Sequence, residues 1–233
     1  MNILDKIIAR KKEEIAFSKS KISVEELKNS EYFGRETFSL KESVKARNGI
    51  IAEFKRQSPS KGIINDKVSP LEIVTKYEEF GASGISILTD KDFFRGSFED
   101  ILSVRNSVNI PILRKDFMID EYQFYEAKSI GADVVLLIAA CLSPAQVQEF
   151  TALAHELNLE VLLEIHTKEE TVKLPRRLVN ARSVVAGLCI AFATPPWGWW
   201  PFVFIGLGIF YKVSQKATSA RQSFVAGFSL GLG

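Results

Sequence analysis

The stretch "IIAEFKRQSPSKG", Ile50 to Gly62, begins as an apolar run of buried-strand character and ends in Glu53, Lys55 and Arg56 before a Ser-Pro-Ser turn. In a strand, successive side chains alternate faces, so Glu53 and Lys55 share one face while Phe54 and Arg56 take the other. A carboxylate and an ammonium at the tip of an otherwise buried strand either form a solvated rim or look into a site. The neighbouring sequence decides between these readings.

From residue 49 onward, short β-branched or Leu-rich runs recur: "GIIAEF", "GISILTD", "IPILRKD", "DVVLLIA" and "LEVLLEI". Between them lie helical patterns, "PLEIVTKYEEFGA", "FEDILSVRNSV", "DEYQFYEAKSIGA" and "SPAQVQEFTALAHELN". Strands alternating with helices of about ten residues predict βαβ units and a parallel sheet. "FGASGI" and "IGADVV" share one punctuation, a glycine that ends a helix in the left-handed conformation before the next strand. This rhythm suits a (βα)8 barrel and a doubly wound sheet equally. The strand ends separate them: Glu53 and Lys55, Thr89-Asp90, Arg114-Lys115-Asp116, and Glu164 with His166 put ionisable groups at the carboxyl ends of successive strands, which converge on one mouth only in a barrel. "KRQSPSKG" is also no glycine-rich dinucleotide turn. The expectation is an α/β chain of (βα)8 type.

Before the first strand, residues 2–30 place Ile3, Leu4, Ile7, Ile8 and Ile15 at helical spacing, with "RKKEE" expected mostly outside that stripe. "SVEELKN" predicts a short helix with Ser23 as cap and Glu26 closing a capping box. Lys6, Arg10, Lys11 and Lys12 interrupt any apolar core that a signal peptide would need.

Charge is distributed unevenly. Residues 171–233 hold no Asp or Glu but seven Lys or Arg, and all three tryptophans, leaving 23 basic against 28 acidic side chains in the first 170. The mildly acidic, interspersed early segment argues against nucleic acid as a partner. Cys141 and Cys189 show neither metal nor redox spacing, and a reducing compartment suits the early segment.

The candidate site is therefore Glu53, Lys55, Lys115 and Glu164 facing a mouth lined by Phe94 and Phe117. Lysines beside other cations are lowered toward neutrality and a glutamate in an apolar wall is raised, so both types can move protons. Lysines hold carboxylates and phosphates, and phenylalanines cover flat rings. The implied partner is an anionic small molecule with an aromatic part, and the implied chemistry is proton transfer without a metal. Arg114 and Asp116, alternating with Lys115, are expected to point away and pair with helices. His166 reads as a rim residue beside Glu164, and His155 as a helix-surface residue.

"IIAEFKRQSPSKG", "TDKDFFRGSFEDI", "PILRKDFMIDEYQ", "GADVVLLIAACLS" and "LNLEVLLEIHTKEE" together resemble the indole-3-glycerol phosphate synthase family of tryptophan biosynthesis, from the start of the chain to about Glu170. The resemblance implies a (βα)8 barrel behind a helical extension. It also implies a carboxy-lyase that closes the indole ring of 1-(2-carboxyphenylamino)-1-deoxyribulose 5-phosphate in the cytoplasm. Carried over by motif, Lys115 is the general acid, Glu164 its carboxylate counterpart, and Lys55, held by Glu53, grips the substrate. Ser58 shapes the first loop, and Phe94, Phe117 and Leu136 form the slot for the anthranilate ring. No cofactor is implied, since the substrate's own imine-like intermediate accepts the electrons of decarboxylation. A phosphate-sugar isomerase of similar barrel build, such as phosphoribosylanthranilate isomerase, is a competing reading that the EFKRxSPS and RKDF strings disfavour.

After "EIHTKEE" the family's Asn-Asn-Arg and Glu-Ser-Gly strings do not follow. Ser183 to Tyr211 is instead uncharged between Arg182 and Lys212 and is broken by "TPPWGWWP". The expectation is a chain of three parts: a helical extension (1–48), a partial barrel of about five βα units (49–170), and an apolar, basic-flanked helical tail (171–233) able to contact a membrane through 183–211. The tail resembles the amino-terminal membrane region of apolipoprotein N-acyltransferase, with no acyltransferase activity carried over. The change near Thr171 reads as a junction of unrelated coding sequences. Five strands leave a barrel unclosed and lack the phosphate site that follows strands seven and eight, so impaired synthase activity is expected. The alternative is an inactive membrane-anchored fusion fragment.

Overall fold

The computed structural model describes residues 2–65 and 67–167. It separates into two compact units, Met1–Leu137 with Gln148–Val161, and Ile138–Val147 with Leu162–Gly233. The tail expected from residue 171, with its apolar run 183–211 and its tryptophans, lies outside the described residues. Among the described residues no helix is long and apolar enough to cross a membrane.

In chain order the elements are α1 (Ile3–Lys21), α2 (Val24–Lys28), α3 (Leu40–Ala46), β1 (Ile51–Phe54), β2 (Gln57–Ser58), β3 (Gly62–Ile63), α4 (Pro70–Glu79), β4 (Gly84–Leu88), α5 (Lys91–Phe94), α6 (Phe98–Arg105), β5 (Ile112–Lys115), α7 (Tyr122–Ser129), β6 (Val134–Ile138), α8 (Pro144–Glu156) and β7 (Glu160–Glu164). The five strands expected from the apolar runs form one sheet in the order β1-β4-β5-β6-β7. The pairings β1–β4, β4–β5 and β5–β6 are all parallel. Strands β2 and β3 make a separate antiparallel pair within the loop after β1.

Helices start and stop where their ends can be satisfied. Asn2 and Ser23 build reciprocal capping boxes with Asp5 and Glu26, covering backbone N–H groups that have no partner inside the helix. Ser143 and Gln146 exchange the same pair of bonds at the start of α8. Gly81 and Gly131 adopt the left-handed conformation (φ +85° and +87°) in "FGASGI" and "IGADVV", so each helix turns directly into a strand.

One face of the sheet packs under helices α4 and α6. Phe54, Ile85, Ile87 and Ile112 meet Val74, Ile101, Val104 and Ile130 there, all of them buried. Truncating any of these to Ala is worth about 2–5 kcal/mol by the usual cost of a core cavity. At the amino ends of the strands the fully buried Asp133 accepts from Arg105 Nη1 (2.6 Å), Ile112 N–H (2.8 Å), Phe38 N–H (2.8 Å) and Arg35. This single carboxylate ties the segment before α3 to α6 and β5.

The first helix departs from its expected stripe. Ile7 and Ile15 are buried, but Ile3 is half exposed, and the residue between the two buried isoleucines at i, i+4 spacing is Lys11. Lys11 was expected in the solvated "RKKEE" segment, yet it is 4% exposed. Its ammonium lies 2.8 Å from Asp90, 3.0 Å from Asp116 and 2.6 Å from Glu14. The expectation failed because periodicity reports only local amphipathicity, whereas two aspartates from the strand ends supply Lys11 with a buried anionic socket.

Candidate active site

The register of the parallel sheet fixes which side chains share a face. Glu53 pairs with Ser86, and Ser86 with Leu113, which pairs with Val134. Two residues further on, Leu88 pairs with Lys115. Continuing the alternation places Lys55 and Leu136 in that second row. The opposite face carries Phe54, Ile87, Arg114 and Val135 and faces the helices. The charged strand tips and the apolar helix-packed face thus belong to opposite sides of one sheet.

On the first face, Glu53 sits between two ammonium groups. Lys55 Nζ lies 2.8 Å from Oε1 and Lys115 Nζ 2.7 Å from Oε2. The three side chains keep 28%, 17% and 30% exposure for Glu53, Lys55 and Lys115. Burial acts to raise the Glu53 carboxyl, but Lys115 and then Lys55 outweigh it and hold the group below the usual carboxylate range. This corrects the expectation of a glutamate raised by an apolar wall: the neighbours are cations. Two ammoniums sharing one carboxylate leave one unit of positive charge and several N–H donors for an anionic ligand.

The rings of Phe94 and Phe117 lie 6.1 Å apart at 40°. Phe94 ends α5, which begins at the Asp90 cap and is closed by Arg95 in the left-handed conformation (φ 53°). Gly96 follows because a Cβ there would stand 2.2 Å from the Leu88 carbonyl oxygen, so only glycine fits. Leu136 is 2% exposed in the middle of β6. Ser58 is buried in β2, where its hydroxyl accepts from Lys61 N–H (3.2 Å) and shapes the turn. Glu164 ends β7, and its carboxylate lies 2.6 Å from His166 Nε2, as the rim pairing anticipated. His155 is exposed on α8.

Arg114 and Asp116 point away from Lys115, as alternation demands. Arg114 donates to Glu126 (3.2 Å) and to the Gln123 carbonyl of α7 (2.8 Å). Asp116 accepts from Thr89 (2.7 Å) and Arg114 (3.1 Å) and pairs with Lys11. Burial works against the Asp116 anion, but Lys11 and Arg114 hold its pKa at about 2.

Two positioning contacts were not legible from the strand tips. Arg56 forms a two-pronged ion pair with Asp100 of α6 (Nη2–Oδ1 2.8 Å), and Gln57 Nε2 donates to the Phe93 carbonyl (3.3 Å). They pin the loop after β1 to the segment that carries Phe94. The signal for Arg56 was its alternation with Lys55, which sends it toward the helices. Lys11 gave no such signal.

A family model described as indole-3-glycerol phosphate synthase matches residues 4–182. The chain belongs to that family. It is 52% identical over 170 residues to the indole-3-glycerol phosphate synthase of Bacteroides thetaiotaomicron, covering 72% of this chain and 65% of that protein. It is 42% identical over 193 residues to the Neisseria gonorrhoeae enzyme of the same name, covering 78% of this chain and 74% of the other. A synthase of that name from Desulfotalea psychrophila is 45% identical over 175 residues, covering 74% and 67%. The chain thus spans about two thirds to three quarters of the length of these indole-3-glycerol phosphate synthase relatives. The match to the synthase family runs past Thr171 to residue 182.

Proposed function

We propose that this chain binds 1-(2-carboxyphenylamino)-1-deoxyribulose 5-phosphate and that its strand-tip charges serve the decarboxylating ring closure to indole-3-glycerol phosphate. The observation that carries the reading is Lys55 and Lys115 sharing the Glu53 carboxylate on one sheet face. Lys115 protonates the ketose oxygen as the anthranilate ring carbon attacks the ketose carbon. Carbon dioxide leaves from the ring and water from the former ketose centre, so atoms balance without an external oxidant. Lys55, oriented by Glu53, grips the substrate carboxylate. Glu164 is assigned the base that balances the developing positive charge. Phe94, Phe117 and Leu136 line the aromatic slot and Ser58 holds the loop beside it.

The proposed architecture is a (βα)8-type barrel behind the helical extension 1–48. Since residues 171–233 carry none of the family's Asn-Asn-Arg or Glu-Ser-Gly strings, ring closure by the 233-residue chain alone is expected to be slow. Indole fluorescence on mixing the purified chain with substrate measures it, and calorimetry with the borohydride-reduced substrate measures binding separately. Binding with slow turnover supports both statements. Turnover at ordinary enzyme rates supports the chemistry and removes the impairment. The absence of both binding and turnover would sink the synthase reading.

A second reading rests on the uncharged run 183–211 between Arg182 and Lys212: a membrane-associating tail, as its likeness to the acyltransferase membrane region suggests. Co-sedimentation with anionic phospholipid vesicles, lost when the run is deleted, would support it; a chain that stays in the supernatant counts against it.

A further inference from the structure

The Glu53–Lys115 bridge joins β1 to β5, and β4 lies between those two strands. The bridge therefore passes over β4, whose side chains on that face are Ser86, level with Glu53, and Leu88, level with Lys115. Ser86 is 4% exposed, and its Oγ makes no hydrogen bond among the described residues. A buried hydroxyl without a partner is destabilising, and native proteins keep few of them. Alanine or valine would fill the position without that cost. The hydroxyl lies level with a carboxylate whose two oxygens each take one ammonium group.

We propose that Ser86 is a positioning residue that takes over Glu53 Oε2 when Lys115 turns its ammonium to the substrate. In the observed arrangement Lys115 lies on that oxygen and the serine donor is idle. Protonating the substrate requires Lys115 to leave, which strips Glu53 of one of its two partners inside a partly desolvated cluster. A hydroxyl donor one strand away, at the same level, replaces the lost hydrogen bond with no movement of the backbone. Glu53 then stays ionised and keeps Lys55 in place while Lys115 works. Only a hydrogen bond is exchanged: no proton changes owner at Ser86. The role of Lys115 rests on the function proposed above, whereas the exchange of partners at Glu53 is tested without it.

The experiment is a double-mutant cycle in urea on the full 233-residue chain, with Ser86→Ala, Lys115→Met and the pair. Lys115→Met imitates the departure of the ammonium. With Lys115 present, Ser86→Ala leaves the unfolding midpoint unchanged or raises it, because an idle buried hydroxyl is removed. With Lys115→Met, the same change lowers the midpoint by about 0.5 M, because Glu53 now depends on the serine. A midpoint unchanged or raised with Lys115 and lowered without it supports the proposal, and the same effect in both backgrounds overturns it. In the ring-closure assay Ser86→Ala should reduce kcat about fivefold to tenfold with KM within about twofold; a rise confined to KM overturns the catalytic part. If the parent chain shows no turnover and no substrate binding, the synthase reading fails, while the urea cycle still decides the exchange at Glu53.

Discussion

Arg114, Lys115 and Asp116 are consecutive, yet they serve two regions that obey different rules. Arg114 and Asp116 are buried to 2% side-chain exposure and saturated, each by partners from other elements, and Lys11 reaches in from α1 to complete the set. Lys115, on the other face, keeps 30% exposure and shares one carboxylate with a second lysine. Charge alone does not mark a site. A closed, mutually satisfied network is architecture, while a part-open cluster with more cations than anions has binding capacity to spare.

The sharpest way to break this comparison is to remove one lysine from each region. Lys115→Met should cut ring closure, however slow in the parent, by about 10²–10⁴-fold, the usual worth of a positioned general acid. Its effect on urea stability should stay within about 1 kcal/mol, because the pair is only part-buried and Glu53 keeps Lys55. Lys11→Met should do the opposite. It leaves Asp90 and Asp116 as buried carboxylates facing each other without their shared cation, a loss of about 3–5 kcal/mol. A stable Lys11→Met protein, or a Lys115→Met protein that unfolds, would erase the distinction.

Glu53→Gln sharpens the comparison from inside the cluster. Two ammoniums then share a site with no counter-charge to orient them. Ring closure should fall about 10–100-fold. An unchanged rate would show that Glu53 does not position its lysines.

Acid should act on the buried region. Asp116 titrates at about 2 in the folded chain against 3.8 for the unconstrained group. A carboxylate whose folded pKa is depressed contributes stability above its unfolded pKa, and that contribution is lost as pH falls from about 4 to about 2. The amount is about 2 kcal/mol. Glu126 opposes it: burial, resisted by Arg114, raises that carboxyl, so its own term becomes more favourable as pH falls. Urea midpoints at pH 5 and pH 2.5 should therefore converge in Asp116→Asn relative to the parent. An acid loss undiminished in that variant would place the acid sensitivity elsewhere.

Much of this was written locally in the sequence. Alternation within "RKDF" and "EFKR" assigns Lys115 and Lys55 to one face and Arg114 to the other, because the period of two is enforced by the backbone itself. The glycines of "FGASGI" and "IGADVV" and the Ser23–Glu26 box are likewise local chemistry. Lys11 was illegible for the opposite reason: its aspartates come from two distant strand ends, and a lysine among "RKKEE" looks solvated until those ends are placed. Glu53 was misjudged in the same way, since the second ammonium reaches it from β5. The idle hydroxyl of Ser86 is visible only once register puts it beneath the bridge.

The smallest effect expected concerns Arg56, which belongs to neither region and connects them. Its guanidinium grips Asp100 of α6 and lies 4.9 Å from the centre of the Phe54 ring, with 17% side-chain exposure. Arg56→Lys keeps the charge but cannot present two parallel N–H donors to one carboxylate. The loop after β1 should loosen where Arg56 and Gln57 hold it to α6 and to the Phe93 carbonyl. Phe94 would then be positioned less firmly against Phe117, so affinity for the reduced substrate should fall about threefold to tenfold with the urea midpoint nearly unchanged. If affinity holds while stability drops, Arg56 is part of the closed architecture, and the boundary between the two regions runs through the loop rather than through the sheet.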